Sequence, residues 1–310
     1  MNRRLYIWTW KKWLPAFMAL LTFSLTACEQ EFPTPIDYRI HVPYKFWVAG
    51  HIYGHPNTAS DDLRPHPPLL EHFDDLNADP EMEFAVFTGD MIKWNVPRRW
   101  DTLEKYLGAL DHPWYAVPGN HDTDAGTEPL LWLSRVGARY QWFIEHGDLF
   151  IFLDSNKDNW RITDDQWAMF AEALAQRKNI HNIFIFVHNV LWWDPDPDGL
   201  HHAAQPNFAG HRADTLNFWT EMVPRLKNYP LQVPTYVFAG DAGAWCGSKP
   251  ISYYQEDSLH LITSGIGCST TSHYLIVEVP ESKQVQIDIV EVGDIGPDHL
   301  GKLEDWKYPN

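Results

Sequence analysis

The chain has 310 residues, with 24 Lys and Arg against 41 Asp and Glu, and its formal net charge of -17 argues against a nucleic-acid partner. An aromatic content of 15% excludes an extended disordered chain, because such chains lack the residues that build a core. Three cysteines are too few for a disulfide scaffold or a zinc module built from cysteines.

The chain begins with the pattern of a secretory signal. Four basic side chains and no acidic one occur in the first 13 residues, and a short apolar run follows them. The run ends in Leu25-Thr26-Ala27-Cys28, which resembles a bacterial lipobox. We therefore expect residues 1–27 to be a lipoprotein signal peptide and Cys28 to be lipidated, which anchors the protein to a membrane. By the same resemblance, Glu29 favours the outer membrane, with the protein facing the periplasm.

The rest of the chain is predicted to form one α/β domain. Residues 28–44, which contain three prolines and little hydrophobic pattern, are predicted to be a lipidated linker. Residues 45–295 form the domain, and residues 296–310 a C-terminal tail. Within the domain, continuous apolar runs are typical of strands buried on both faces. These runs are Phe46–Ala49, Phe84–Phe87, Trp114–Val117, Phe150–Leu153, Ile183–Val187 and Tyr236–Ala239.

Between these strands, stretches with helical periodicity predict helices, and Thr163 before two acidic residues is typical of a helix start. From about Ile251 onward the pattern indicates strands without long helices. The alternation of the two patterns predicts a layered α/β architecture. The predicted helices cover Pro68–Asn77, Arg98–Leu110, Thr163–Arg177 and Thr215–Lys227.

Polar residues follow five of the predicted strands. Loops beyond the carboxyl ends of strands hold the ligand in α/β sheets, so we expect these side chains to converge. Carboxylate, amide and imidazole groups together are suited to a divalent metal. The five segments are Gly50-His51-Ile52-Tyr53-Gly54, Gly89-Asp90, Gly119-Asn120-His121-Asp122, His188-Asn189 and Gly240-Asp241-Ala242-Gly243.

Over most of residues 45–290, this order of motifs resembles the calcineurin-like metallophosphoesterase family. The family pattern is Asp-x-His, Gly-Asp, Gly-Asn-His-Asp/Glu, a single His, and Gly-His-x-His. The third motif matches completely at residues 119–122, and Asp90 and His188 match the second and fourth. The resemblance implies a four-layer α/β/β/α sandwich and metal-dependent hydrolysis of a phosphoester.

The first and fifth motifs depart from the family pattern. His51-Ile52-Tyr53 stands where Asp-x-His is expected, and Asp241-Ala242-Gly243 stands where His-x-His is expected. Both departures mainly affect one of the family's two metal sites, which is left with Asp90, His51 and, as a further donor, Tyr53. We therefore expect a single intact metal site or a rebuilt first site. By the resemblance, the intact site uses Asp90, Asn120, His188 and Asp241.

The resemblance also implies roles for the remaining motif residues. His121 would protonate the departing alkoxide as a general acid, and Asp122 would orient the loop or the imidazole ring. The oxygen-rich intact site favours Mn²⁺ or Mg²⁺, with zinc or iron as alternatives. Aromatic residues a few positions beyond the motifs are candidates for lining the substrate crevice. These are Trp94, Trp192, Trp193 and Trp245.

Two functions follow from these observations. The first is a phosphoester hydrolase of the cell envelope that acts on a phosphorylated sugar, lipid or polymer. The second is a degenerate family member that retains the fold as a non-catalytic binding or assembly component. The retained Asn120 and His121 favour the enzyme, and the altered first and fifth motifs favour the alternative. Cys246 and Cys268 could form a disulfide in an oxidising compartment, but their number does not show that they do.

Overall fold

The computed structural model describes residues 42–59, 61–124, 126, 128–176, 180–208, 215–227, 233–294 and 299–308. The predicted signal peptide, Cys28 and most of the predicted linker lie outside the described residues. The described residues belong to one unit, residues 37–310. None of their helices has both the length and the apolar character that crossing a membrane requires. The predicted boundaries at residues 45 and 295 stay predictions.

The strands form two sheets in which the predicted apolar runs are central. The first sheet has the order β11-β10-β1-β2-β3, and the second has the order β4-β5-β6-β7-β9-β8. All neighbours among β1, β2 and β3, and among β5, β6, β7 and β9, are parallel. The strands are β1 Tyr44–Ala49, β2 Met82–Phe87, β3 Trp114–Ala116, β4 Gln141–Glu145, β5 Asp148–Phe152, β6 Ile183–Val187, β7 Thr235–Ala239, β8 Ile251–Glu256, β9 Leu259–Ser264, β10 His273–Val279 and β11 Gln286–Glu291.

Phenylalanine is the most frequent residue in the core between the two sheets. Successive side chains of a strand point to opposite faces, so β5 and β6 direct their aromatic residues inward and their aliphatic residues outward. Phe150 stacks on Phe184 with ring centroids 5.1 Å apart, and Phe152 stacks on Phe186 at 5.0 Å. Offset aromatic pairs of this kind add to the stabilisation from burial alone.

Helices cover the outer faces of both sheets, which confirms the predicted α/β/β/α layers. The predicted helix at Pro68–Asn77 is instead two short helices, because the His72 N–H donates to the Leu69 carbonyl three residues earlier and changes the hydrogen-bond register. The predicted helix at Thr215–Lys227 contains a π-helical turn, Phe218–Met222, before its α-helical part. The α-helices are α1 Pro67–Leu70, α2 Phe73–Ala78, α3 Pro97–Leu107, α4 Leu130–Arg135, α5 Asp164–Ala175 and α6 Val223–Lys227; short 3₁₀ helices cover Leu200–Ala203 and Leu303–Trp306.

A disulfide joins the loops that follow two neighbouring strands. Cys246 in the loop after β7 pairs with Cys268 in the loop after β9. The structure thus shows the pairing that the cysteine count left open. The bond restrains the two loops at the edge of the sheet where the motif residues lie.

A buried hydrogen bond between the two sheets gives a test of how they are held together. The Tyr44 hydroxyl of β1 donates to the Asp148 carboxylate of β5 over 2.6 Å. We expect Tyr44→Phe to lower the free energy of unfolding by about 1–3 kcal/mol, because a buried charged acceptor loses a donor. Chemical denaturation measures the change, with Tyr106→Phe on the surface of α3 as control. Equal stability of the two variants would contradict the proposed role.

Candidate active site at the carboxyl ends of the strands

The motif residues of both sheets meet at one edge. His51, Asp90 and His121 follow the parallel strands β1, β2 and β3 of the first sheet, whereas His188 and Asp241 follow β6 and β7 of the second. Hydrogen bonds join these loops: the His51 N–H donates to the Gly89 carbonyl over 2.9 Å, and the Asp241 N–H donates to the His188 carbonyl over 2.9 Å. The sequence expectation that these loops converge is therefore confirmed.

Two glycines allow the loops to approach this closely. A Cβ on Gly119 would stand 2.2 Å from the backbone nitrogen of Asp90 and from its Oδ1. A Cβ on Gly89 would stand 2.5 Å from the Nδ1 of His188, and this glycine also has a φ of +85° that side chains disfavour. His51 and Asp90 themselves have positive φ values of 57° and 54°. Non-glycine residues rarely adopt such values, and they often do so at functional sites.

Three histidines are each fixed through the same ring nitrogen. The Nδ1–H of His51 donates to the Ile266 carbonyl over 3.0 Å, that of His188 to the Thr88 carbonyl over 2.9 Å, and that of His121 to the Lys93 carbonyl over 2.6 Å. A carbonyl can only accept, so Nδ1 must carry the proton in all three rings. In each neutral ring the Nε2 lone pair is then free to accept a proton or bind a metal.

The Asp90 carboxylate lies between two of these Nε2 atoms. His188 Nε2 is 3.4 Å from Asp90 Oδ1 and 3.1 Å from Asn120 Oδ1, and His51 Nε2 is 3.6 Å from Asp90 Oδ2. With Nδ1 protonated, a neutral His188 would direct its lone pair at two oxygen acceptors within hydrogen-bonding range. A second proton on the ring or a cation among these atoms relieves that repulsion.

Burial strongly perturbs the charges of the site. Burial raises the pKa of Asp241 to about 7 against the opposing effect of His188, and lowers the pKa of His51 to about 4. For Asp90, burial would raise the pKa, but the adjacent histidines outweigh it and the pKa is lowered. For His188, burial would lower the pKa, but Asp90 and Asp241 outweigh it and the pKa is raised. Buried carboxylates that lie this close to other titratable groups are stabilised by a counter-charge.

Asp122 contacts the backbone of the site and orients its loops. Its Oδ1 accepts hydrogen bonds from the N–H groups of Met91 at 2.9 Å and Ile92 at 3.2 Å, and its Oδ2 accepts from Gly119 N–H at 2.8 Å. The carboxylate therefore ties the loop after β2 to the loop after β3. The His121 ring is held by Lys93 rather than by this carboxylate.

Tyr53 faces the histidine proposed as the general acid. Its hydroxyl lies 3.4 Å from His121 Nε2, and its ring packs against the His51 ring with the two centroids 4.2 Å apart. Burial and the neighbouring carboxylates of Asp90 and Asp241 raise the pKa of the Tyr53 hydroxyl. The hydroxyl therefore stays protonated, whereas ligation of ferric iron requires a tyrosinate. It donates to His121 Nε2 when the imidazole is neutral and accepts from the Nε2–H when the imidazole is protonated.

A cavity of about 450 Å³, in the range of small-molecule sites, is lined by His51, Tyr53, Asp90, Asn120, His121 and Asp241. His188 and Asp122 are buried and do not line it. Of the four predicted crevice tryptophans, the structure brings only Trp245 to its wall. Trp94 instead packs under Arg99, 4.7 Å from the ring centroid, and Trp192 and Trp193 line a separate cavity because the chain after β6 turns back toward the core. Sequence reasoning missed five lining residues that lie outside the five motif segments: Pro56, Lys93, Trp160, Asn207 and Phe208.

The donor set fits a divalent cation in its chemistry. It consists of the carboxylates of Asp90 and Asp241, the amide oxygen of Asn120 and the Nε2 lone pair of His188. A backbone hydrogen bond fixes the tautomer of the His188 ring. Within the described ranges, however, no three His, Cys, Asp or Glu side chains already stand in the arrangement of a metal site. The observation that supports the fit is that His188 Nε2 faces two oxygens at 3.1 and 3.4 Å, an arrangement that needs either a second proton on the ring or a cation.

Sequence comparisons relate this chain to known phosphoesterases. A sequence model of the calcineurin-like phosphoesterases matches residues 44–241. The chain is 33% identical over 60 residues to a 3',5'-cyclic-nucleotide phosphodiesterase of Nostoc sp., covering 19% of this chain and 23% of that protein. It is 28% identical over 78 residues to a probable glycerophosphodiester phosphodiesterase of Arcobacter nitrofigilis, covering 25% and 26%. The matches thus span about a quarter of the length of these relatives.

The fold itself is similar to that of a solved phosphatase structure. A purple acid phosphatase from yellow lupin seeds superposes with a TM-score of 0.58 at 11% identity. The match covers 88% of this chain and 53% of the phosphatase. At this identity the likeness establishes the shared fold.

The close packing of glycine against Asp90 gives a test of the site. We expect Gly119→Ala to displace Asp90, to lower the free energy of unfolding by about 1–3 kcal/mol through overpacking, and to weaken Mn²⁺ binding. Thermal unfolding and calorimetric titration with MnCl₂ measure the two effects. Gly108→Ala at the end of α3 is the control, since its backbone is α-helical and its Cβ would meet only two backbone carbonyls, at 3.2 and 3.5 Å. Mn²⁺ binding equal in both variants would contradict the assignment.

Proposed function

We propose that this chain, which belongs to the calcineurin-like phosphoesterase family, hydrolyses a phosphoester with a divalent metal held by Asp90, Asn120, His188 and Asp241. The family is metal-dependent. The observation that carries the proposal is the fixed tautomer of His188, whose Nε2 faces the oxygens of Asp90 and Asn120 at 3.4 and 3.1 Å. When bound, the metal neutralises charge on the phosphoryl group and activates water for attack.

A single metal is the proposed stoichiometry. On the other side of Asp90, His51 supplies one Nε2 atom at 3.6 Å, and Gly243 has no side chain to donate. The Tyr53 hydroxyl is directed to His121 rather than kept for a metal. The oxygen-rich donor set favours Mn²⁺ or Mg²⁺ over zinc.

His121 is the proposed general acid. Because Lys93 fixes its Nδ1–H, the proton for the departing alkoxide resides on Nε2, which faces the cavity beside Tyr53. Lys93 lines the same cavity, and its ammonium, which donates to the Thr58 carbonyl over 2.7 Å, is the proposed positive charge near the phosphoryl group. The roles of both residues thus depend on one short loop after β2.

The proposed setting is the cell envelope, with a phosphorylated sugar, lipid or polymer as substrate. The sequence of residues 1–28 supports lipid anchoring at Cys28, facing the periplasm and preferably at the outer membrane. The Cys246–Cys268 disulfide agrees with an oxidising compartment. The net charge argues against nucleic acid as a substrate.

Metal affinity tests the proposed ligand set independently of turnover. We expect calorimetric titration of the purified, metal-free protein with MnCl₂ to give one site. His188→Ala should weaken binding by at least about tenfold, because the loss of even a supporting residue has that effect. His51→Ala is the matched control, since its Nδ1 is fixed in the same way but it belongs to the altered motif, and it should weaken binding much less. Two sites, or equal effects of both variants, would contradict the single-metal proposal.

Proton donation by His121 is tested with two leaving groups. We expect His121→Ala to lower kcat for an alkyl phosphoester by about 10²–10⁴-fold, which is the usual contribution of a general acid. The loss should be much smaller for a p-nitrophenyl ester, whose leaving group departs without a proton. His202→Ala is the control, because His202 also donates Nδ1–H to a carbonyl but lies outside the cavity. Absence of turnover with any divalent metal would favour the non-catalytic binding component instead.

A further inference from the structure

We propose that the substrate's leaving group carries a flat aromatic ring, which stacks on Trp245 and Phe208 at the mouth of the cavity. The inference rests on the proposed function, since it assigns a substrate class to the same site. It depends on side chains that the metal and His121 do not use. Trp245 and Phe208 are 41% and 69% exposed, yet both line the cavity.

The order of burial fixes where a substrate's ring would lie. Asp90, His51 and Asp241 are buried and form the polar end of the cavity, whereas Trp245 and Phe208 face the solvent. A phosphoryl group at the polar end therefore directs its ester oxygen and the attached group toward the aromatic side chains. Large apolar side chains left exposed beside a cavity are typical of a ligand-binding surface.

Both aromatic residues are held by backbone contacts that lead back to the site. The Asn207 N–H donates to the Asp241 carbonyl over 2.9 Å, and the Asn207 Oδ1 accepts from the Ala244 N–H over 2.8 Å. Phe208 is the next residue after Asn207, and Trp245 is the next after Ala244. These bonds therefore place both aromatic residues in fixed positions relative to Asp241. Trp245 is further restrained by the disulfide at Cys246 and by an edge-on contact with His55, whose ring centroid lies 5.5 Å from that of Trp245. Such rigidity reduces the entropy lost when a ring binds.

The chemistry of the mouth favours an aromatic ring over a sugar or a second phosphate. Sugar recognition needs several hydrogen-bonding side chains, but Pro56, Phe208 and Trp245 offer only an indole N–H among them. The Asn207 amide beside them is already hydrogen-bonded to Ala244 N–H and to Asp241. A second phosphate needs cations, and Lys93 is the only Lys or Arg among the described lining residues. A flat ring matches the exposed aromatic faces through offset stacking and burial of apolar area.

The test compares leaving groups of nearly equal basicity. Wild-type turnover is measured for 2-phenylethyl, 2-cyclohexylethyl and butyl phosphate and for their methyl diesters, with Mn²⁺ present. We expect kcat/KM to be about tenfold higher for the phenyl than for the butyl ester, as one aromatic stacking contact supplies. The cyclohexyl ester should fall clearly below the phenyl ester, because it is apolar but cannot stack.

Variants assign the preference to the mouth of the cavity. Trp245→Ala should abolish most of the phenyl-over-butyl ratio, and Trp245→Phe should retain it. Trp94→Ala is the matched control, since Trp94 is also 41% exposed but does not line the cavity. Its contact with Lys93 would affect both esters equally and would therefore leave the ratio unchanged.

The outcomes separate this inference from the proposed function. The ring assignment is overturned if all three esters are hydrolysed with no phenyl preference, or if Trp245→Ala leaves the preference unchanged. Either result leaves the hydrolase proposal intact. If no ester is hydrolysed, calorimetric Kd values for 2-phenylethyl and butyl phosphate replace kcat/KM. A phenyl preference in Kd that Trp245→Ala removes then supports the ring site, and equal Kd values overturn it. Cyclohexyl and phenyl esters of equal reactivity would show apolar burial without stacking and would also overturn it.

Discussion

The site depends on a single type of interaction, a hydrogen bond from a histidine Nδ1–H to a backbone carbonyl. His51, His121 and His188 each make one, and the three carbonyls come from loops of both sheets. Because a carbonyl cannot donate, each bond settles the tautomer of the ring. The Nε2 atoms of His51 and His188 then face Asp90, and that of His121 faces Tyr53. The backbone of the fold thus determines both where a proton can be carried and where a cation is needed.

These bonds require loops that approach one another far more closely than ordinary side chains permit. The glycines before Asp90 and Asn120 meet this requirement, since a Cβ on either would enter the space of His188 or Asp90. Asp122 then fixes the spacing by accepting three backbone N–H groups from two loops. The loops pack closely because the glycines have no side chains, and the Asp122 carboxylate holds them together. They form a rigid support around the charged residues.

The sequence predicts the buried elements well and the exposed ones poorly, for physical reasons. β6 was predicted at its observed bounds because a strand buried on both faces is a continuous apolar run. β4 was missed because it is a half-exposed edge strand, although the left-handed residues His146 and Gly147 after it are a hairpin signal. The short helix α4 was also missed, since six residues hardly establish a period.

The same contrast applies to the site. Residues that directly follow strands converge because topology places them together, so they could be predicted. Trp192 and Trp193 could not be placed from their distance to His188, since a chain leaving a strand can turn toward the core as well as the cavity. Phe208 and Lys93 reach the cavity from loops, and their position depends on hydrogen bonds between segments that are distant in sequence.

The altered first motif has a consequence beyond the loss of a metal ligand. Tyr53 stands where the family has a histidine, and its protonated hydroxyl lies against the Nε2 of His121. By the resemblance, a histidine at this position would direct a ring nitrogen to a metal, whereas the tyrosine offers a hydroxyl that can donate to the neighbouring imidazole or accept from it. Under the proposed single-metal assignment, the residue that replaces a family ligand is therefore also a hydrogen-bonding partner of the proposed general acid.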